Sequence, residues 1–136
     1  MSDQTSELHG LDRAREIHVA ALNAGDADGW AECFDFDAVQ MPPNQPSNVG
    51  AERIREWTRG FLAMFRAEFS LAPDDVELAG TDLAFERGRY EIRLTPAAGG
   101  EALRDSGKYL TVYRRRAGSR WLMAQDIWNS DKPPMG

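Results

Sequence analysis

Leu8-His9-Gly10-Leu11-Asp12-Arg13-Ala14-Arg15-Glu16-Ile17-His18-Val19-Ala20-Ala21-Leu22-Asn23-Ala24-Gly25 opens the chain with a helical period. At about 100° per residue, Leu8, Leu11, Ala14, Ile17, His18, Ala21 and Leu22 share one side of the wheel. Asp12, Arg13, Glu16 and Asn23 share the other. Two polar residues break the apolar side: Arg15 intrudes on it, and His18 sits in its middle. Gly25 ends the helix, because glycine accepts the left-handed conformation that closes a helix C-terminus. Asp26 or Asp28 then caps a short second helix through Trp30, Ala31, Cys33 and Phe34.

Beyond that pair of helices, Ala38-Val39-Gln40-Met41 reads as a short strand. Pro42-Pro43-Asn44-Gln45-Pro46-Ser47-Asn48 is a loop, since its prolines fix φ and remove backbone donors. A third helix is expected from about Ala51 to Glu68, with Ile54, Trp57, Phe61, Met64 and Phe65 as an aromatic stripe. The second half reads as strands. Phe69 to Leu78 is weak and interrupted at Pro73. Leu83 to Leu94 places Ala84, Glu86, Gly88, Tyr90, Ile92 and Leu94 on one face. Lys108 to Arg114 alternates around either Leu110 and Val112 or Tyr109, Thr111 and Tyr113. Ala117-Gly118-Ser119 makes a hairpin turn into the final strand, Trp121 to Asn129. That strand begins apolar on both faces and puts Leu122, Ala124, Asp126 and Trp128 on one side. Three helices followed by an antiparallel meander form an α+β layer arrangement, and a sheet curved around helices can enclose a cavity.

The 136 residues suffice for one domain, with residues 1–6 as a flexible N-terminus and 131–136 as a tail. Acidic residues outnumber basic ones, 22 to 16, for a net charge of −6. Nucleic-acid binding and attachment to an anionic membrane both need surplus Lys and Arg, so both are excluded as partners. Cys33 is the only cysteine and is expected to be inert packing; with two histidines in the chain, no disulfide, zinc cage or other metal site is expected. No glycine-rich phosphate loop is present, so no nucleotide or other cofactor is expected. The N-terminus has no basic segment followed by an apolar core, and no apolar run reaches the ~18 residues of a membrane span. A cytoplasmic location follows as the expectation.

Val19-Ala20-Ala21-Leu22-Asn23-Ala24-Gly25-Asp26-Ala27-Asp28-Gly29 resembles the first-helix signature of the nuclear transport factor 2-like superfamily. Gly50-Ala51-Glu52-Arg53-Ile54-Arg55-Glu56 resembles its third-helix start. Ser106 to Arg115 and Asp126 to Asp131 resemble the last two strands of its SnoaL-like, ketosteroid isomerase-related branch. The resemblance implies a cystatin-like topology: a strongly curved mixed, mainly antiparallel sheet wrapped as a cone around three N-terminal helices. It also implies a pocket between helices and sheet, and a homodimer through the outer sheet face. Fold alone leaves the chemistry open. The steroid isomerase constellation does not carry over. His18 stands where that enzyme has an oxyanion-hole tyrosine, Pro42 beside Met41 where it has its basic aspartate, and Lys108, Tyr109 or Thr111 where it has an aspartic acid donor.

His18 and Asp126 are the candidate catalytic pair: an imidazole suited to acid–base work, and a carboxylate to orient and charge-balance it. The plainer alternatives are a core histidine and a structural ion pair. Trp30, Met41, Trp57, Phe61, Glu86, Tyr90, Lys108, Tyr109 and Trp128 are expected to line the pocket. Lys108 is a cross-strand partner for Glu86 in one register, and Tyr90 or Tyr109 is a donor to a carbonyl. The expected partner is a small hydrophobic molecule. The expected activity is isomerase, cyclase or lyase chemistry by His/Asp proton transfer; the alternative is a non-catalytic binding or dimerisation domain. An open interior favours binding or catalysis, a filled one association.

Overall fold

The computed structural model describes residues 4–117 and 120–133. Helix α1 runs Gln4–Asn23, α2 Ala27–Ala31 and α3 Ala51–Met64. The strands are β1 Phe34–Met41, β2 Asn48–Val49, β3 Phe65–Ala79, β4 Leu83–Pro96, β5 Leu103–Arg114 and β6 Leu122–Ser130. They form one curved, open sheet in the order β2-β1-β6-β5-β4-β3. β1 runs parallel to β6, and every other neighbouring pair is antiparallel.

Local chemistry accounts for most boundaries. α1 closes at Gly25, whose φ is 70°. Of the two candidate caps, Asp26 takes the role: its side chain accepts from the Gly29 N–H. Asp28 instead holds Arg55 and Arg59 of α3 at 2.7 and 2.8 Å, tying α2 to α3.

Some elements differ from the sequence expectation. Gln4 to Ser6 belong to α1 rather than to a flexible terminus, while residues 1–3 and 134–136 lie outside the described residues, as do Gly118 and Ser119 of the expected turn. α2 stops at Ala31, and Phe34 already belongs to β1. α3 stops at Met64, because Phe65 is extended and starts β3. β3 continues past Pro73 by a bulge between Pro73 and Asp75, so the proline bends the strand without ending it. On α1 the buried face is Leu11, His18, Ala21 and Leu22; Ile17 is 38% exposed.

Curvature has a visible cause at Gly88 and Gly107. A Cβ on Gly88 would lie 2.4 Å from the Ala72 carbonyl oxygen, and one on Gly107 would lie 2.1 Å from that of Asn129. Neighbouring strands close in at these two positions, where only glycine fits. The core sits at the narrow end of the cone, around Leu11, Ile54, Ala38, Tyr113, Trp121 and Met123. Each fully buried aliphatic side chain there contributes roughly 1.5–3 kcal/mol.

β6 carries the least expected detail. Val112 pairs with Gln125, yet Tyr113 pairs with Met123, so one extra residue sits in β6. Trp121 and Met123 face inward before the bulge, and Asp126 and Trp128 face inward after it. Leu122 is not part of that face; it pairs with Arg114 and is half-buried. The doubly apolar start of β6 is therefore explained within the chain.

Candidate functional site

Between the helices and the wide end of the sheet lies a cavity of about 730 Å³. A row of paired strand positions, Asn48, Gln40, Asp126, Thr111 and Glu86, runs from β2 across to β4, and its middle three, Gln40, Asp126 and Thr111, form the polar floor of the cavity. All five are buried, so each needs a partner or carries a cost. Asn48 Nδ2 donates to Gln40 Oε1 at 2.9 Å, and Thr111 Oγ1 donates to Asp126 Oδ1 at 2.9 Å. Glu86 accepts from Arg15 Nη2 at 2.7 Å and from the Tyr109 hydroxyl at 2.5 Å. Gln40 Nε2 has no hydrogen-bond partner among the described residues.

The walls are aromatic. Trp57 stacks on Phe61 with centroids 5.7 Å apart, and Trp128 stands across Trp57 at 6.3 Å and 71°. Trp57 is itself steadied from the proline loop, donating Nε1–H to Gln45 Oε1 at 3.1 Å. His18 stacks on Trp30 at 3.8 Å, with Phe34 and Phe69 edge-on.

Two titratable groups here are displaced in opposite ways. Burial pushes the His18 imidazole down to about 3, so it is neutral across the physiological range. Its Nδ1 is buried and without a hydrogen-bond partner among the described residues. Burial pushes the Asp126 carboxyl up to about 7; the Thr111 hydroxyl opposes this and the charge of Glu86 adds to it. Burial and bonds to carboxylates also raise the Tyr90 and Tyr109 hydroxyls.

Of the residues singled out in sequence, His18, Trp30, Trp57, Phe61, Tyr90, Tyr109, Asp126 and Trp128 line the cavity. Three do not. Met41 pairs with Ile127, which pairs with Leu110, and this row lies on the outer face. Lys108 is opposite Arg89, also faces out, and binds Asp131 at 2.6 Å. It is not the partner of Glu86, which lies opposite Thr111. Glu86 itself is sealed beneath the floor by Arg15 and Tyr109 rather than lining the cavity. Among the described residues, no hydrogen bond or ion pair joins His18 to Asp126; the imidazole is held by ring stacking instead. The Tyr90 and Tyr109 hydroxyl protons are committed to Asp105 and Glu86.

Gln40 and Asp105 were not found from sequence. Gln40 precedes Met41 by one position, and only the parity of a strand starting at Phe34 separates them. Asp105 shares parity with Tyr109, but β5 begins earlier than its apolar alternation shows. Among the described residues, no group of three or more His, Cys, Asp or Glu side chains is placed to hold a metal ion. Cys33 is buried, its thiol pushed up to about 11 by burial, in keeping with inert packing.

Cone and sheet topology are those of the nuclear transport factor 2-like fold. Within it the chain belongs to the SnoaL-like domain family, whose pattern matches residues 7–122. Solved structures agree on the fold. A ketosteroid isomerase-like protein from Erwinia carotovora atroseptica superposes with a TM-score of 0.85 at 23% identity, covering 93% of this chain and 98% of that one. A nuclear transport factor 2-like superfamily protein from Salmonella enterica gives 0.85 at 11% identity, with 96% and 95% covered. A Catenulispora acidiphila structure in complex with S-DNPA gives 0.75 at 18%, with 94% and 96% covered. No match was found among curated proteins. Other solved structures of this fold include a putative scytalone dehydratase from Novosphingobium aromaticivorans and a putative calcium/calmodulin dependent protein kinase II association domain from Xanthomonas campestris, at 12% and 23% identity. No helix among the described residues is long and apolar enough to cross a membrane.

Proposed function

We propose that the protein binds a hydrophobic ring compound in this cavity and that Asp126 moves a proton on it, in an isomerase-, cyclase- or lyase-type reaction. One observation carries the reading: a buried, cavity-lining carboxyl with no counter-charge among the described residues, poised at about 7. A proton carrier works best when its pKa is near the working pH. As carboxylate, Asp126 takes a proton from a carbon beside a carbonyl; as acid, it returns the proton elsewhere on the same molecule. Gln40 stands beside it in register, and its unpartnered Nε2 is the donor to the carbonyl oxygen as charge develops there. His18 is a neutral hydrogen-bonding wall rather than the base, because it does not take up a proton at working pH. The open interior disfavours a purely associative role. The chain acts as one such domain.

The test is solvent deuterium uptake into a panel of polycyclic ketones, read by mass spectrometry. Uptake by wild type that falls about 10²–10⁴-fold in Asp126→Asn supports the reading. Binding without any uptake, or uptake undiminished in Asp126→Asn, overturns the catalytic role. We assign a homodimer to the outer sheet face, where Leu110 and Ile127 pair across β5 and β6 and are 42% and 45% exposed. Sedimentation showing a dimer that Ile127→Glu splits supports this; a wild-type monomer rejects it.

A further inference from the structure

We infer that the cavity sorts its ligands by charge, taking neutral and cationic ring compounds and turning away their anionic counterparts. The inference rests on the cavity being a ligand site, as proposed above.

It starts from what the lining lacks. Among the described residues no lysine or arginine contributes to the wall, although the chain has 16 basic residues. Three acids do: Asp126, Asp105 and Glu56. Elsewhere in this molecule, buried acids are matched. Asp35 is held by Arg116 at 2.8 Å and by Arg114 at 3.4 Å, and Glu86 by Arg15. Asp126 and Asp105 have no cationic partner among the described residues. Thr111 serves the first; the Tyr90 hydroxyl at 2.9 Å and the Ser130 hydroxyl at 2.6 Å serve the second. Two carboxyls held only by hydroxyl donors therefore face an apolar hollow.

An anion entering this hollow loses its water, finds no cation, and meets like charge at short range in a medium of low polarity. A cation meets the opposite situation. Carboxylates supply the counter-charge, and the faces of Trp57, Phe61 and Trp128 supply quadrupole attraction. A neutral ring compound gains from the apolar wall alone, and its polar atoms can find the unpartnered Gln40 amide.

Equilibrium dialysis above neutral pH tests this with three probes of one ring system: naphthylmethylamine, acetylnaphthalene and naphthoate. The expected result is that amine and ketone bind, while naphthoate binds at least about a hundredfold more weakly than the ketone. In Asp126→Asn and in Asp105→Asn, the ketone-to-naphthoate ratio is expected to fall about tenfold or more; two separate variants are used so that loss of folding in one leaves the other. Naphthoate binding within about tenfold of the ketone in wild type overturns the inference. So does a ratio unchanged in both folded variants. Failure of all three probes to bind instead overturns the ligand-site reading beneath it.

Discussion

Glu86 and Asp126 lie on the same row of the sheet floor, with Thr111 between them, and both are shut away from bulk water. Glu86 has a guanidinium from α1 and a phenol from β5, and lies outside the cavity wall. Asp126 has one hydroxyl and opens on the cavity. The first arrangement resembles a bolt between helix and sheet: the ionic partner is fixed, and nothing is left over for a ligand. The second leaves an acid with unmet need at the place a small molecule would reach. Two carboxyls two strands apart on one inward row thus serve stability and chemistry separately, and the difference lies in what the facing elements bring to each.

Removing the guanidinium is the harshest way to break the contrast. Arg15→Met leaves Glu86 buried with only Tyr109 as partner, and urea unfolding is expected to show a loss of about 3–5 kcal/mol. Arg15→Met with Glu86→Leu should recover most of it, as no lone charge remains. At Asp126 the sign is reversed. Its folded value of about 7 exceeds the ordinary 3.8, so the folded state holds the proton more tightly. Stability therefore falls as pH rises from about 3.8 to about 7 and is flat above. Asp126→Asn should remove that fall and be more stable than wild type by about 2–4 kcal/mol above neutral pH, read as denaturation midpoints across pH.

His18 gives a third, smaller effect in another window. Its folded value of about 3 lies below the ordinary 6.5, so its stabilisation is complete above 6.5 and is lost as pH falls toward 3. His18→Phe, which keeps a ring against Trp30, should flatten the acid limb by about 1–3 kcal/mol in the same measurement. Thr111→Val is the finest adjustment. Without its hydroxyl, Asp126 should titrate still higher by carboxyl NMR, at a cost of about 1 kcal/mol in stability. A downward move would mean that Thr111 is not the donor that restrains it.

The architecture was legible because its signals are local. The wheel of α1, the stop at Gly25 and the even positions of β4 can each be read within a dozen residues. Most aromatic wall positions followed, as did His18 and Asp126. What could not be read was set by long-range pairing. Arg15 stood out on the apolar side of its helix, yet its partner lies 71 positions away in β4. Met41 and Lys108 went to the outer face because strand parity depends on registers that no short window contains. Gln40 was lost by the same single step.

The extra residue in β6 has a consequence for how such a cone can change over evolutionary time. It is a phase marker: the segment before it keeps time with the core, and the segment after it keeps time with the hollow. If β6 paired without the bulge at its present length, Gln125 would fall opposite Thr111 and Ile127 opposite Tyr109, turning inward, while Asp126 and Trp128 would swing to the outer face. Deleting Ala124 would instead smooth the strand and leave Asp126 inside. The identity of the acid is thus set by substitution and its presence in the interior by strand pairing, so a lineage could lose the chemistry through a slip in register alone.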